Sequence, residues 1–104
     1  MNNESSPKTR AVRAALDTDT QFGAVVPPIH LTSTFSFACY GEKRAYDYSR
    51  SGNPTRDALA GALAELEVGA GAVVTGSGMG AVGLVTQLFR PAQVAVVPHD
   101  CYGG

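Results

Sequence analysis

The run Ala72–Val97 constrains the fold more than any other part of this sequence. Ala72-Val73-Val74-Thr75 is a short apolar stretch that reads as a buried strand, and Gly76-Ser77-Gly78-Met79-Gly80 turns out of it. Ala81–Phe89 follows with helical spacing through Val82, Val85 and Leu88-Phe89, and Pro91 ends that helix. Gln93–Val97 is a second apolar strand. Strand, glycine turn, helix and strand predict a βαβ unit, hence a parallel sheet and an α/β class.

A second helix is predicted upstream. Asn53 is a good N-cap, and Pro54 at the first helical position lacks an N–H that would be unpaired anyway. Leu59, Ala62, Leu63 and Leu66 form one apolar stripe, and Gly69 and Gly71 stop the helix. Ala11, Val12, Ala15 and Leu16 fit a short helix over Thr9–Leu16. Between these, Gln21–Tyr48 reads as an extended arm, because Pro27-Pro28 forbids helix and Ile29–Phe37 alternates β-branched, aromatic and small polar residues. No internal repeat is present.

At 104 residues the chain is the size of one small domain, with 44% apolar and 16% charged residues, so a globular protein is the default. Its net charge of −1 argues against a nucleic-acid or anionic-membrane partner. Residues 1–56 hold seven of the eight basic groups, so any anion-binding side chain comes mainly from that half. No apolar run is long enough to span a bilayer, and the polar first twenty residues have no signal-peptide pattern. Cys39 and Cys101 form no CxxC pair and no metal cluster with His30 or His99. The reading is two reduced cysteines in a cytoplasmic protein without a metal site.

The glycine turn is the strongest chemical signal. The first N–H groups of the helix after Ser77 lack intrahelical partners, the helix dipole adds positive potential, and glycines let backbone approach an anion. Phosphate is the natural ligand. The plainer alternative is that Gly78, Gly80 and Gly83 allow tight packing of helix on strand. Gly78-Met79-Gly80-Ala81-Val82-Gly83 also matches GxGxxG, with Asp100 about twenty residues on, which is a dinucleotide fingerprint. Against it stands the arm and helix before the first strand, which a dinucleotide domain does not need. A Walker A loop is excluded, since no Gly-Lys-Ser/Thr follows. The second constellation is Asp47–Thr55, where the Arg50 fork beside the Tyr48 phenol suits a phosphate. The alternative there is an ordinary exposed turn before a helix.

Val26–Phe35, YSRSGNPTRDALAGALAELEVG (Tyr48–Gly69), Gly78-Met79 and PHDCYGG (Pro98–Gly104) together resemble the trans-sulfuration family of pyridoxal-phosphate enzymes, from about Thr9 to Gly104. The resemblance implies an N-terminal intersubunit arm over 1–57, followed over 58–104 by the truncated start of a type I (aspartate aminotransferase-like) large α/β domain. It implies pyridoxal 5′-phosphate as cofactor. Gly78 and Met79 would give backbone N–H bonds to its phosphate, and Tyr48 and Arg50 would reach the phosphate in a neighbouring subunit. Tyr102 would stack on the pyridine ring and assist proton transfer. His30-Leu31, Asp47 and His99–Gly104 are most similar to members that join cysteine to an O-acyl-homoserine, in methionine biosynthesis. Lyases and homoserine-ester sulfhydrylases of the family share much of the pattern. The complete protein is expected to be a homotetramer.

Two departures matter. Ser51 stands where some relatives have a second Arg, which puts a substrate-carboxylate role there in doubt. The lysine that holds the cofactor as a Schiff base, and the acid facing the pyridine nitrogen, belong to a part of the family pattern beyond residue 104. The chain's own lysines are Lys8 and Lys43. The sequence is therefore expected to be the front part of a longer enzyme, inactive by itself, or a non-catalytic remnant that at most associates with complete subunits.

Overall fold

The structure, a computed structural model, describes residues 5–103. Three helices form among them: α1 (Pro7–Arg13), α2 (Pro54–Leu66) and α3 (Gly78–Thr86). The chain divides into two units, Met1–Val74 and Thr75–Gly104.

In the first unit each helix begins where a cap requires it. Ser6 accepts from the Thr9 N–H at 3.3 Å with Pro7 behind it, so α1 starts two residues before the predicted Thr9. It also stops earlier than Leu16, because Ala15 and Asp17 take left-handed backbone (φ 57° at each). In α2, Asn53 Oδ1 accepts from the Thr55 N–H at 2.9 Å. The predicted glycine stop is displaced: Val68 itself adopts φ 54°, and the Gly69 N–H closes onto the Ala64 carbonyl at 2.8 Å. Helices α1 and α2 pack on one another, and the Arg10 guanidinium donates to the Glu65 carbonyl at 3.1 Å.

The face of α2 turned to the arm shares only Ala62 with the predicted stripe. Ala58, Gly61, Ala62 and Glu65 line an open cleft of about 950 Å³ together with Phe22 and Pro28. Leu59 and Leu63 stay 50% and 43% exposed. Small residues let the arm and α1 come close to the helix, which the bulkier leucines would prevent.

The arm itself is more folded than an extended segment. The Asp19 carboxylate gathers the N–H groups of Gln21, Phe22 and Ala24, which holds its carboxyl below the usual range, the Ala24 bond contributing most. Thr34 and Tyr48 pair in antiparallel fashion through Phe35 N–H to Asp47 O (2.9 Å) and Ser49 N–H to Ser33 O (2.8 Å). At the tip, Cys39 pairs with Glu42 around Gly41, whose φ of 74° suits glycine. The rings of Phe35 and Tyr46 meet at 5.4 Å across this hairpin.

In the second unit the Ser77 hydroxyl accepts from the Gly80 N–H at 3.1 Å, which starts α3 at Gly78 rather than Ala81. Past Thr86 the N–H groups of Gln87, Leu88 and Phe89 each bond three residues back, so the predicted pattern continues only as tight turns.

The expected parallel sheet is not formed among the described residues. Segments 71–75 and 93–98 carry no ladder hydrogen bonds, and the βαβ prediction is corrected accordingly. The reason is physical. A strand's N–H and C=O groups are satisfied by neighbouring strands rather than by its own residues. Val73, Val94 and Val96 are correspondingly 78%, 87% and 95% exposed, and no described residue is fully buried.

The cap gives a direct test. A peptide covering 49–68 with Asn53→Ala should lose helix by about 1 kcal/mol, whereas Asn53→Asp should keep it. Circular dichroism of the three peptides measures this, and equal helicity with Ala would contradict the capping role.

Candidate functional site

In the first unit the candidate donors lie on the turn that joins the arm hairpin to α2. The N–H groups of Ser51 and Gly52 both bond the Tyr48 carbonyl, at 3.0 and 3.1 Å, so Tyr48, Ser49 and Arg50 lie on one tight loop. Within it Arg50 Nη2 donates to Tyr48 Oη at 3.2 Å, and the guanidinium carbon stands 5.4 Å from the ring centre. Phenol and guanidinium thus form one cluster of donors on an accessible surface, with Tyr48 42% exposed.

Asp47 anchors the loop from below. Its carboxylate accepts from the Tyr48 N–H at 2.7 Å and the Ser51 hydroxyl at 3.0 Å, and it pairs with Lys43 at 3.8 Å. These contacts, the Ser51 hydroxyl first, hold its carboxyl below the usual range. Ser51, the departure noted in the sequence, is therefore a loop-closing residue here, since its hydroxyl also reaches the Tyr48 carbonyl at 2.8 Å. Gly52 has the Tyr46 ring against it. A Cβ there would meet the ring at 3.0 Å, so a larger residue would push the ring aside by a few tenths of an ångström. Burial, then a bond to Asp57, pushes the Tyr46 phenol up.

One residue of this loop was not singled out in the sequence. Arg56, on the first turn of α2, donates from Nη1 to the Ser49 carbonyl at 3.0 Å and from Nη2 to the Arg50 carbonyl at 3.4 Å. Helical side chains lean toward the helix N-terminus, so an Arg three residues after an N-cap is placed to reach the preceding loop. That was the available signal.

A separate group of candidate donors, in the second unit, is the start of α3. Of its first four N–H groups, Ala81 bonds the Ser77 carbonyl at 3.2 Å and Gly80 bonds the Ser77 hydroxyl. Among the described residues, the two left without an acceptor are Gly78 and Met79. They are the pair named from the sequence. Gly80 is packed, with Thr75 Cβ 3.3 Å from where its own Cβ would lie, while Gly78 and Gly83 face open space. Tight packing thus explains Gly80 alone. Tyr102 follows the 98–101 turn and is 94% exposed.

The two free amides at the start of α3 and, separately, the Arg–Tyr pair of the loop are each donors of the kind that suits a phosphate-sized anion. Neither lysine adds a free amine to the Arg–Tyr loop: Lys43 is paired with Asp47 and Lys8 lies in α1.

A sequence model for "Cys/Met metabolism PLP-dependent enzyme" matches residues 8–104. This chain belongs to that family. Pyridoxal 5′-phosphate is the family's cofactor, and the phosphate-ready donors above fit it. Cystathionine gamma-synthase of Escherichia coli (strain K12) is 61% identical over 97 residues, 92% of this chain and 25% of that protein. Cystathionine beta-lyase of Lactococcus lactis subsp. cremoris is 39% identical over 100 residues, 96% of this chain and 26% of that enzyme. The crystal structure of cystathionine gamma synthase from Xanthomonas oryzae pv. oryzae in complex with cystathionine aligns with a TM-score of 0.77 at 61% identity, covering 80% of this chain and 21% of that one. The chain spans about a quarter of the length of the curated relatives it matches.

Proposed function

We propose that this chain is the N-terminal part of a cystathionine gamma-synthase, an enzyme that joins cysteine to an O-acyl-homoserine to make cystathionine. The 61% identity to the Escherichia coli enzyme, against 39% to the Lactococcus lactis beta-lyase, carries the reading. In it, residues 1–57 are an intersubunit arm and residues 58–104 begin a type I, aspartate aminotransferase-like large domain. The working enzyme is a cytoplasmic homotetramer. No helix among the described residues is long and apolar enough to cross a membrane.

Within that enzyme Gly78 and Met79 hold the cofactor phosphate through backbone N–H groups. Tyr48 and Arg50 hold it from a neighbouring subunit by a hydroxyl and a charged fork. Tyr102 offers an aromatic face to the cofactor ring and a phenol that can carry a proton. When bound, the cofactor supplies an electron sink for carbanions at the substrate's α and β carbons.

The test is a hybrid holoenzyme, in which this chain replaces the matching segment of the Escherichia coli relative. With cysteine and an O-acyl-homoserine it should form cystathionine. Cleavage of cystathionine without its synthesis would favour a lyase and overturn the reading.

A further inference from the structure

We infer that Arg56 is a positioning residue for the Tyr48–Arg50 pair, setting its grip on the cofactor phosphate without touching the phosphate itself. The inference rests on the reading of Tyr48 and Arg50 as phosphate ligands. Arg56 spends its two terminal nitrogens on consecutive carbonyls, Ser49 at 3.0 Å and Arg50 at 3.4 Å, so those donors are committed to protein. Its Nε lies 4.0 Å from Asp57 Oδ1, which aligns the fork from behind. The bridged carbonyls flank the peptide that carries Arg50. Fixing them limits where the Arg50 side chain starts, and the 3.2 Å bond to Tyr48 Oη then has one register. Helix α2, capped by Asn53, becomes the support for a loop that would otherwise have to order itself at each binding event.

A double-mutant cycle on the hybrid holoenzyme tests this. Wild type, Arg50→Ala, Arg56→Gln and the double variant are stripped of cofactor. Each is then titrated with pyridoxal 5′-phosphate and with pyridoxal, which lacks the phosphate. Arg56→Gln should weaken pyridoxal 5′-phosphate binding by roughly threefold to tenfold, the scale of one hydrogen bond. Pyridoxal binding should not change, and the double variant should bind no worse than Arg50→Ala, because Arg56 acts through Arg50. Wild-type affinity in Arg56→Gln, an additive cycle, or equal loss for pyridoxal would each overturn the inference. Where Arg50→Ala itself binds normally, the reading of the phosphate ligands fails too. Where only Arg56→Gln binds normally, that reading survives and this inference falls. If Arg56→Gln does not fold, Arg56→Lys serves, since one ammonium cannot bridge both carbonyls. It should bind pyridoxal 5′-phosphate measurably less tightly, and unchanged affinity would refute the role.

Discussion

Gly78→Pro is expected to weaken pyridoxal 5′-phosphate binding in the hybrid holoenzyme by roughly ten- to a hundredfold, the cost of one hydrogen bond to a charged acceptor. Proline removes an N–H, and at the first position of a helix it does so without breaking the helix. Gly78 occupies that position in α3, Ser77 before it has the extended backbone that a following proline requires, and no atom lies within 4 Å of a Cβ there. The substitution therefore deletes one donor and leaves the rest of the turn in place. Gly78→Ala keeps the amide and should lose far less, which separates the donor from the side chain. Cofactor titration of both variants decides the matter. A proline variant that binds as the parent does would remove the α3 amides from the phosphate site.

Purified by itself, the 104-residue chain is expected to retain no pyridoxal 5′-phosphate through dialysis and to turn over no homoserine ester. A few hydrogen bonds to phosphate are all that its described donors supply, and Lys43 is already paired with Asp47. Ordering each residue costs about 1–2 kcal/mol of backbone entropy, which apolar burial must offset. Here Leu31, Val96 and Tyr102 stand more than 90% exposed and nothing described is fully buried. Association through the exposed extended segments and a broad, non-cooperative thermal transition should accompany the lack of activity. Absorbance of the dialysed protein, an activity assay and a melting curve test these together. Retained cofactor with turnover from a cooperatively folding monomer would reverse the conclusion and demand another catalytic amine.

What could be read in the sequence was local chemistry. Asn53-Pro54 announced α2, and Ser77 before a glycine turn announced α3, because a cap and its first turn lie within four residues of each other. Boundaries moved by a few residues where one side chain decided them, as Ser77 did by taking the Gly80 N–H, or Val68 by adopting left-handed backbone. The strands could not be settled this way. Ala72–Thr75 and Gln93–Val97 have strand composition, but pairing is supplied by neighbouring strands, and no local pattern contains it. The site divides similarly. The sequence pointed to unpaired amides at the helix start in general, and the family resemblance singled out Gly78 and Met79; the suitability of Arg50 beside the Tyr48 phenol was read from residue type. Arg56 escaped because its partners are backbone carbonyls, so only its place three residues after the N-cap pointed to them. The apolar stripe was met only in part, since Ala62 lines the cleft with Ala58 and Gly61 while Leu59 and Leu63 stay exposed.

Asn53 has one further consequence, for which substitutions this position can accept. Its Oδ1 is occupied by the Thr55 N–H, which assigns the other end of the amide as the donor to the His30 carbonyl at 3.2 Å and to the Ser49 hydroxyl at 3.0 Å. Asp would serve the helix as well but, being acceptor-only, has no donor to offer. A lineage drifting to Asp would keep α2 intact while releasing both the arm at His30 and the loop at Ser49, a loss that a helix measurement alone would never register.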